Sequence, residues 1–234
     1  MGEPIRVLHI LQRMEAGGTQ ALLMNIYRKI DRTKVQFDFW VVYKEKQFYD
    51  DEIESMGGHV YKLSFREDLN LPKFQKDLKN FFKQHHEYQI VHCHAYTIGY
   101  FCLKAAKKAG IPVRIAHSHN NETVHDIKYL PKLFMQRLFT LNATDLFACS
   151  EEAGKYLFKD KPFRVLKNAI DSQQFIANEN TRREVRQELG LENKFVVGHV
   201  GRLHPQKNHD FLIDVFAEIK KKKPDAELIL VGTG

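Results

Sequence analysis

Two basic side chains share one short loop near the end of the chain, Gly201-Arg202-Leu203-His204-Pro205-Gln206-Lys207-Asn208. Arg202 offers a planar fork of donors and Lys207 a compact ammonium. The loop follows an apolar run at 195–200 and precedes an amphipathic stretch that Asn208 is placed to cap. Two cations beside a helix N-terminus suit a diphosphate and would stabilise it as it departs with its charge developing. A second anion-seeking feature is Gly17-Gly18-Thr19, where glycine lets backbone N–H groups approach a phosphate and Thr19 could cap the helix. A plain turn would read the same way. The spacing is not the G-x-G-x-x-G of a dinucleotide site, which argues against NAD or FAD.

Histidines form the third group: His92 and His94 in one apolar run, His117 and His119 in another. Alternation along a strand sends both members of a pair to one face, an arrangement that could hold a metal. No cysteine or adjacent carboxylate completes a ligand set, with Glu122 and Asp126 the nearest acids in sequence. We therefore expect no metal and no cofactor. A histidine that positions or polarises an acceptor is the functional alternative to a purely structural role.

The elements that must position these groups alternate between strand-like and helix-like patterns. Strands are expected at 5–11, 35–42, 60–63, 90–93, 113–116 and 145–149, and helices at 19–30, 73–83, 98–109 and 131–141. This repetition predicts an α/β fold, a Rossmann-like doubly wound parallel sheet over residues 1–165. Residues 166–176 read as a hinge. From 177 a second Rossmann-like domain begins, with a helix at 181–189, a strand at 195–200, a helix at 211–219 and a strand at 227–231. One such β-α-β unit cannot cover its own sheet faces, so the second domain is read as incomplete at 234.

With 43% hydrophobic residues and 17 phenylalanines, the chain has ample material for a core. Cys93, Cys102 and Cys149 lie in apolar stretches without paired or metal-ligand spacing, as reduced thiols do. The first dozen residues are too short and polar for a signal peptide, so a cytoplasmic protein is expected. The net charge of +7 is concentrated in residues 1–165, with 25 Lys and Arg against 19 Asp and Glu. Residues 104–137 hold seven bases and two acids. In 128–141 (KYLPKLFMQRLFTL), bases interleave with large apolar residues, as in helices lying on an anionic membrane. An ordinary amphipathic helix facing the core is the competing interpretation. The aromatic residues follow core periodicity, not a stacking platform, so no nucleic-acid partner is expected.

Taken together, these segments resemble the GT-B glycosyltransferases, specifically the retaining family 4. The segment 201–208 resembles its G-R-L-x-x-Q-K-x loop, and Ile90-Val91-His92-Cys93-His94 resembles its D-I-V-H-x-H strand. Residues 145–151 (DLFACSE) are similar to A-D-x-x-x-x-S-E, and Lys167-Asn168-Ala169-Ile170-Asp171 to an N-G-V-D hinge with Ala169 in place of glycine. The resemblance implies an acceptor domain, a nucleotide-sugar domain and a cleft between them. It places Arg202, Lys207, Gly17 and Gly18 on the donor diphosphate, and His119, with His117 second, beside the acceptor. His94, Ser150, Glu151 and Asn168 would line the acceptor side. It implies retaining transfer from a nucleotide-sugar to a glycan or lipid-linked acceptor, without a metal, in surface polysaccharide synthesis. The family's E-x7-E element would lie beyond Gly234, so this chain alone is expected to be inactive and to bind donor poorly. A nucleotide-sugar 2-epimerase of the same architecture and a non-catalytic basic membrane-binding module are the alternative readings.

Overall fold

The computed structural model describes residues 2–63, 65, 69–120 and 129–233. The expected ligand candidates Glu122 and Asp126 lie outside these residues. The chain divides into two compact units, Met1–Ile170 and Asp171–Gly234, and the division falls inside the segment 166–176.

The first unit is a seven-stranded sheet, parallel at every pairing, in the order β3-β2-β1-β4-β5-β6-β7. Its strands are β1 (Ile5–Ile10), β2 (Val35–Val41), β3 (Val60–Lys62), β4 (Tyr88–Cys93), β5 (Val113–Ser118), β6 (Asp145–Ala148) and β7 (Arg164–Val165). Its helices are α1 (Gly18–Lys29), α2 (Asp50–Ser55), α3 (Leu71–Gln84), α4 (Tyr96–Lys108), α5 (Tyr129–Phe139) and α6 (Glu151–Phe158). The period of two splits each central strand between two cores. Leu8, Ile10, Val91, Cys93 and Ala116 join Phe74, Leu78, Leu103 and Phe139 from the helices in one cluster. Val7, Phe37, Phe39 and Val41 pack with Leu23, Met24 and Tyr27 of α1 in the other.

An ion pair with one buried partner ties β1 to β2. Asp38, whose side chain is fully buried, accepts from Arg6 Nε at 2.7 Å, Arg6 Nη2 at 2.5 Å, Tyr88 Oη at 2.8 Å and His59 N at 2.8 Å. Burial pushes its carboxyl up, but the bonds from Arg6 and Tyr88 outweigh this and hold it below the usual carboxylate range.

Local chemistry moves several expected boundaries. Asn70 caps α3 by accepting from Lys73 N at 3.0 Å, and Pro72 suits the first turn, so the helix starts before residue 73. Helix α2, absent from the sequence reading, has Asp50, Asp51 and Glu52 in its first turn and buries Ile53. Thr19 is not a cap: the N-cap of α1 is Gly17, with no side-chain bond.

The second unit holds α7 (Glu179–Glu188), the parallel pair β8 (Phe195–Val200) and β9 (Ala226–Val231), and α8 (His209–Lys222) between them. Large apolar side chains remain exposed here, Val200 by 81% and Phe211 by 63%.

Candidate functional site

Five imidazoles gather on one face of the first sheet. The register pairs His9 with His92 and His92 with Ile115, so odd residues of β1, even residues of β4 and odd residues of β5 share a face. His9, His92, His94, His117 and His119 therefore converge where β1, β4 and β5 end. His92 Nε2 and His117 Nδ1 are 3.0 Å apart and their rings stack at 5.1 Å. A second chain runs from His9 Nδ1 to His94 Nε2 at 3.2 Å and from His94 Nδ1 to His119 Nε2 at 2.8 Å. Each contact needs one N–H and one lone pair, which neutral rings supply.

The environment enforces that neutrality. Burial lowers His9 to about 3, His117 to about 2 and His119 to about 4, and takes His92 and His94 well below the ordinary histidine value. Neighbouring imidazoles lower His9, His92, His94 and His117 further. His117 is fully buried, whereas His119 is half-buried. Of the two candidates beside an acceptor, His119 is the more exposed, although its Nδ1 is buried and its Nε2 is held by His94. Tyr96, at the start of α4, holds it there: its hydroxyl accepts from the backbone N–H of His119 and, at 3.0 Å, from that of Asn120.

The remaining candidates of this unit divide. At the first turn of α1 a Cβ on Gly18 would meet nothing within 4 Å, whereas one on Gly17 would lie 2.6 Å from Gln20 Oε1, so the Gln20 side chain covers Gly17. The turn's N–H groups lack intrahelical partners, and no side chain caps them. Ser150 caps α6, its hydroxyl accepting from Ala153 N at 3.2 Å. Glu151 and Asn168 are exposed. Cys93 is no nucleophile, since burial pushes its thiol up to about 12.

In the second unit, Arg202 and Lys207 are both exposed, in a loop ordered by backbone bonds. Gly201 N donates to Val231 O and Leu203 N to Thr233 O, each at 2.9 Å. Gly232 permits this: its Cβ would lie 1.9 Å from Gly201 O. The Lys207 stem lies over Gly201, 3.5 Å from where a Cβ would be. Asn208 precedes α8 but at φ 51° it makes no side-chain cap, so the helix N–H groups stay free of it.

Sequence reasoning missed His9 and Tyr96. Alternation marked His92, His94, His117 and His119, but placing His9 beside them requires the strand order, with β1 next to β4. Nothing in the sequence alone marks Tyr96.

A doubly wound parallel sheet with polar groups at its strand ends, followed by a further β-α-β unit, defines the Rossmann-like GT-B class of glycosyltransferase fold. The chain belongs to glycosyltransferase family 4, whose model matches residues 16–174, while that of glycosyl transferases group 1 matches residues 181–234. It is 36% identical over 239 residues to EpsF of Bacillus subtilis (strain 168), provisionally named a glycosyltransferase, covering 98% of this chain and 62% of that protein. It is 26% identical over 245 residues to the Escherichia coli UDP-Gal:alpha-D-GlcNAc-diphosphoundecaprenol alpha-1,3-galactosyltransferase, with 98% and 62% covered. The crystal structure of Anabaena Alr3699/HepE in complex with UDP and glucose matches with a TM-score of 0.79 at 21% identity, covering 98% of this chain and 61% of that one. The chain thus spans about three fifths of the length of these proteins.

Proposed function

We propose that the complete protein transfers a sugar from a nucleotide-sugar to a glycan or lipid-linked acceptor with retention of configuration, in the synthesis of a surface polysaccharide. Family membership supports sugar transfer. The observation that carries the chemical reading is the ordered loop 201–208, which offers two exposed cations immediately before a helix N-terminus. Arg202 and Lys207 would bind the donor diphosphate and neutralise the charge that grows on it as the sugar bond breaks, so no metal is needed for the transfer. The turn at Gly17 and Gly18, open at Gly18, would offer N–H groups to an anion. His119, neutral at pH 7, would accept or donate one hydrogen bond to the acceptor, with His94 setting its tautomer and His117 packed beneath. Glu151 and Asn168 are our candidates for further acceptor contacts, and Ser150 shapes the start of α6.

The relatives' names support the substrate classes: one acts on a diphosphoundecaprenol-linked sugar from a UDP donor, and the HepE structure holds UDP and glucose. This chain alone is proposed to be inactive and to bind donor weakly. Incubating the complete protein with a panel of nucleotide-sugars, with and without acceptor, tests the reading. Consumption of donor only when acceptor is present supports transfer, and conversion of donor alone would instead indicate a 2-epimerase.

Peripheral attachment at the cytoplasmic face of the membrane is a second part of the reading. No helix among the described residues is long and apolar enough to cross a membrane. Instead Leu130, Phe134 and Leu141 are 74, 62 and 57% exposed at helical spacing in and just after α5, with Arg137 exposed in the same stripe. Such a face suits insertion beside anionic headgroups. Co-sedimentation with anionic vesicles, lost in Phe134→Glu, is the expected result. The aromatic residues are largely spent in the cores, and we assign no nucleic-acid partner.

A further inference from the structure

The histidine cluster holds more nitrogen than positioning one acceptor requires. One ring nitrogen from each of His94, His117 and His119 lies within 4.8 Å of one from each of the others. A tetrahedral ion with bonds of about 2.0–2.1 Å needs its ligand nitrogens about 3.3 Å apart, a closure within reach of small side-chain rotations. Two nitrogens of these residues, His117 Nε2 and His119 Nδ1, are buried and have no hydrogen-bond partner among the described residues. A buried lone pair or N–H left without a partner is costly, and a ligand at this spot would relieve that cost.

The outer members of the cluster act as supports. His92 Nε2 contacts His117 Nδ1 at 3.0 Å, and His9 Nδ1 contacts His94 Nε2 at 3.2 Å. Each occupies one nitrogen of a ring in the set and so orients that ring, as partners behind metal-bound imidazoles do. The other nitrogen of His94, Nδ1, contacts His119 Nε2 at 2.8 Å, and an ion would take the place of that bond. The overlapping trio His9, His92 and His94 is wholly buried. The trio with His119 has one half-buried member, His119 itself.

We propose that His94, His117 and His119 form a tris-imidazole site for a borderline divalent transition ion such as Zn2+, Co2+ or Ni2+. Three imidazoles without carboxylate or thiolate select these ions over Mg2+ or Ca2+, which prefer oxygen. The ion is no cofactor of sugar transfer. By taking a nitrogen of His119 it would withdraw that side chain from the acceptor, so occupancy inhibits the enzyme, a consequence that rests on the proposed role of His119.

The test begins with the 234-residue chain, stripped with a chelator and titrated with Co2+. One equivalent should develop the visible d–d absorption of a four- or five-coordinate imidazole site, and one equivalent of Zn2+ should bleach it. His119→Ala and, separately, His117→Asn should weaken binding at least tenfold, while His86→Ala, at an exposed residue in the connection between α3 and β4, leaves it unchanged. Trp40 fluorescence and circular dichroism establish that each variant is folded. Absence of the band at one equivalent, or a band that survives both cluster substitutions, overturns the proposal. This readout needs no substrate, so it stands apart from the transferase reading. In the complete protein, Zn2+ inhibition reversed by chelator is expected. Stoichiometric binding without inhibition would leave the metal site standing and remove His119 from the reaction.

Discussion

Lowering the pH should unfold the first unit because its histidines are buried neutral. In the unfolded chain each titrates near the ordinary value of 6.5, whereas in the folded chain burial holds His9 near 3, His117 near 2 and His119 near 4. The unfolded state therefore binds more protons, and stability is full above about pH 6.5 and falls as the pH drops toward the folded values. Between pH 7 and pH 5, each of these three groups removes about 2 kcal/mol, or about 6 kcal/mol together. His92 and His94 shift in the same direction and add to the loss. A domain of this size has roughly 5–15 kcal/mol in total, so the transition should come near pH 5. The chain has a single tryptophan, and Trp40 is buried in this unit, so its fluorescence follows the first unit alone. Urea titrations in the presence of a chelator should show the midpoint falling steeply from pH 7 to 5. In a His9→Leu, His117→Leu double variant, about two thirds of the three-group loss should disappear. A wild-type midpoint that stays constant over this range would refute the claim that burial keeps the cluster unprotonated.

Three further outcomes follow from packing and charge. Asp38→Asn should cost about 1–3 kcal/mol in urea unfolding, since it weakens the charge-assisted bonds from the half-buried Arg6 and leaves the polar partners of this position less well satisfied. Gly99→Ala should destabilise by about 1–3 kcal/mol, because its Cβ would lie 2.3 Å from the fully buried ring of Phe139; thermal melts read this directly. Arg202→Ala in the complete protein should lower kcat about 100-fold with a smaller change in donor KM, as expected when a group acts mainly on charge developing in the transition state. Equal loss in Leu203→Ala would mean the loop matters for its shape and not for its guanidinium.

The parallel sheet could be read from the sequence because its strands are short apolar runs between amphipathic stretches, and one-sided helices leave few alternatives for covering them. Residues 195–200, Gly201 and the amphipathic stretch beyond likewise announced a strand, a loop and a helix. Caps were harder to read. Thr19 and Asn208 have the right side chains, but capping depends on backbone angles, and Gly17 takes the first place while Asn208 turns left-handed. Helix α2 escaped because its six residues are too few for a periodic signal. The fifth histidine and the Asp38–Arg6 pair both depend on which strands are neighbours. That order arises from the way connections cross the sheet, which local pattern does not encode.

Sugar transfer from a nucleotide-sugar to an acceptor is the claim on which the functional account stands. The most direct measurement takes the complete protein, a nucleotide-sugar series and an undecaprenyl-diphosphate-linked sugar, and reads donor consumption together with the anomeric configuration of the product by NMR. The account predicts turnover only with the acceptor present and an unchanged anomeric configuration. A product of inverted configuration, or donor converted to its 2-epimer without acceptor, would contradict it.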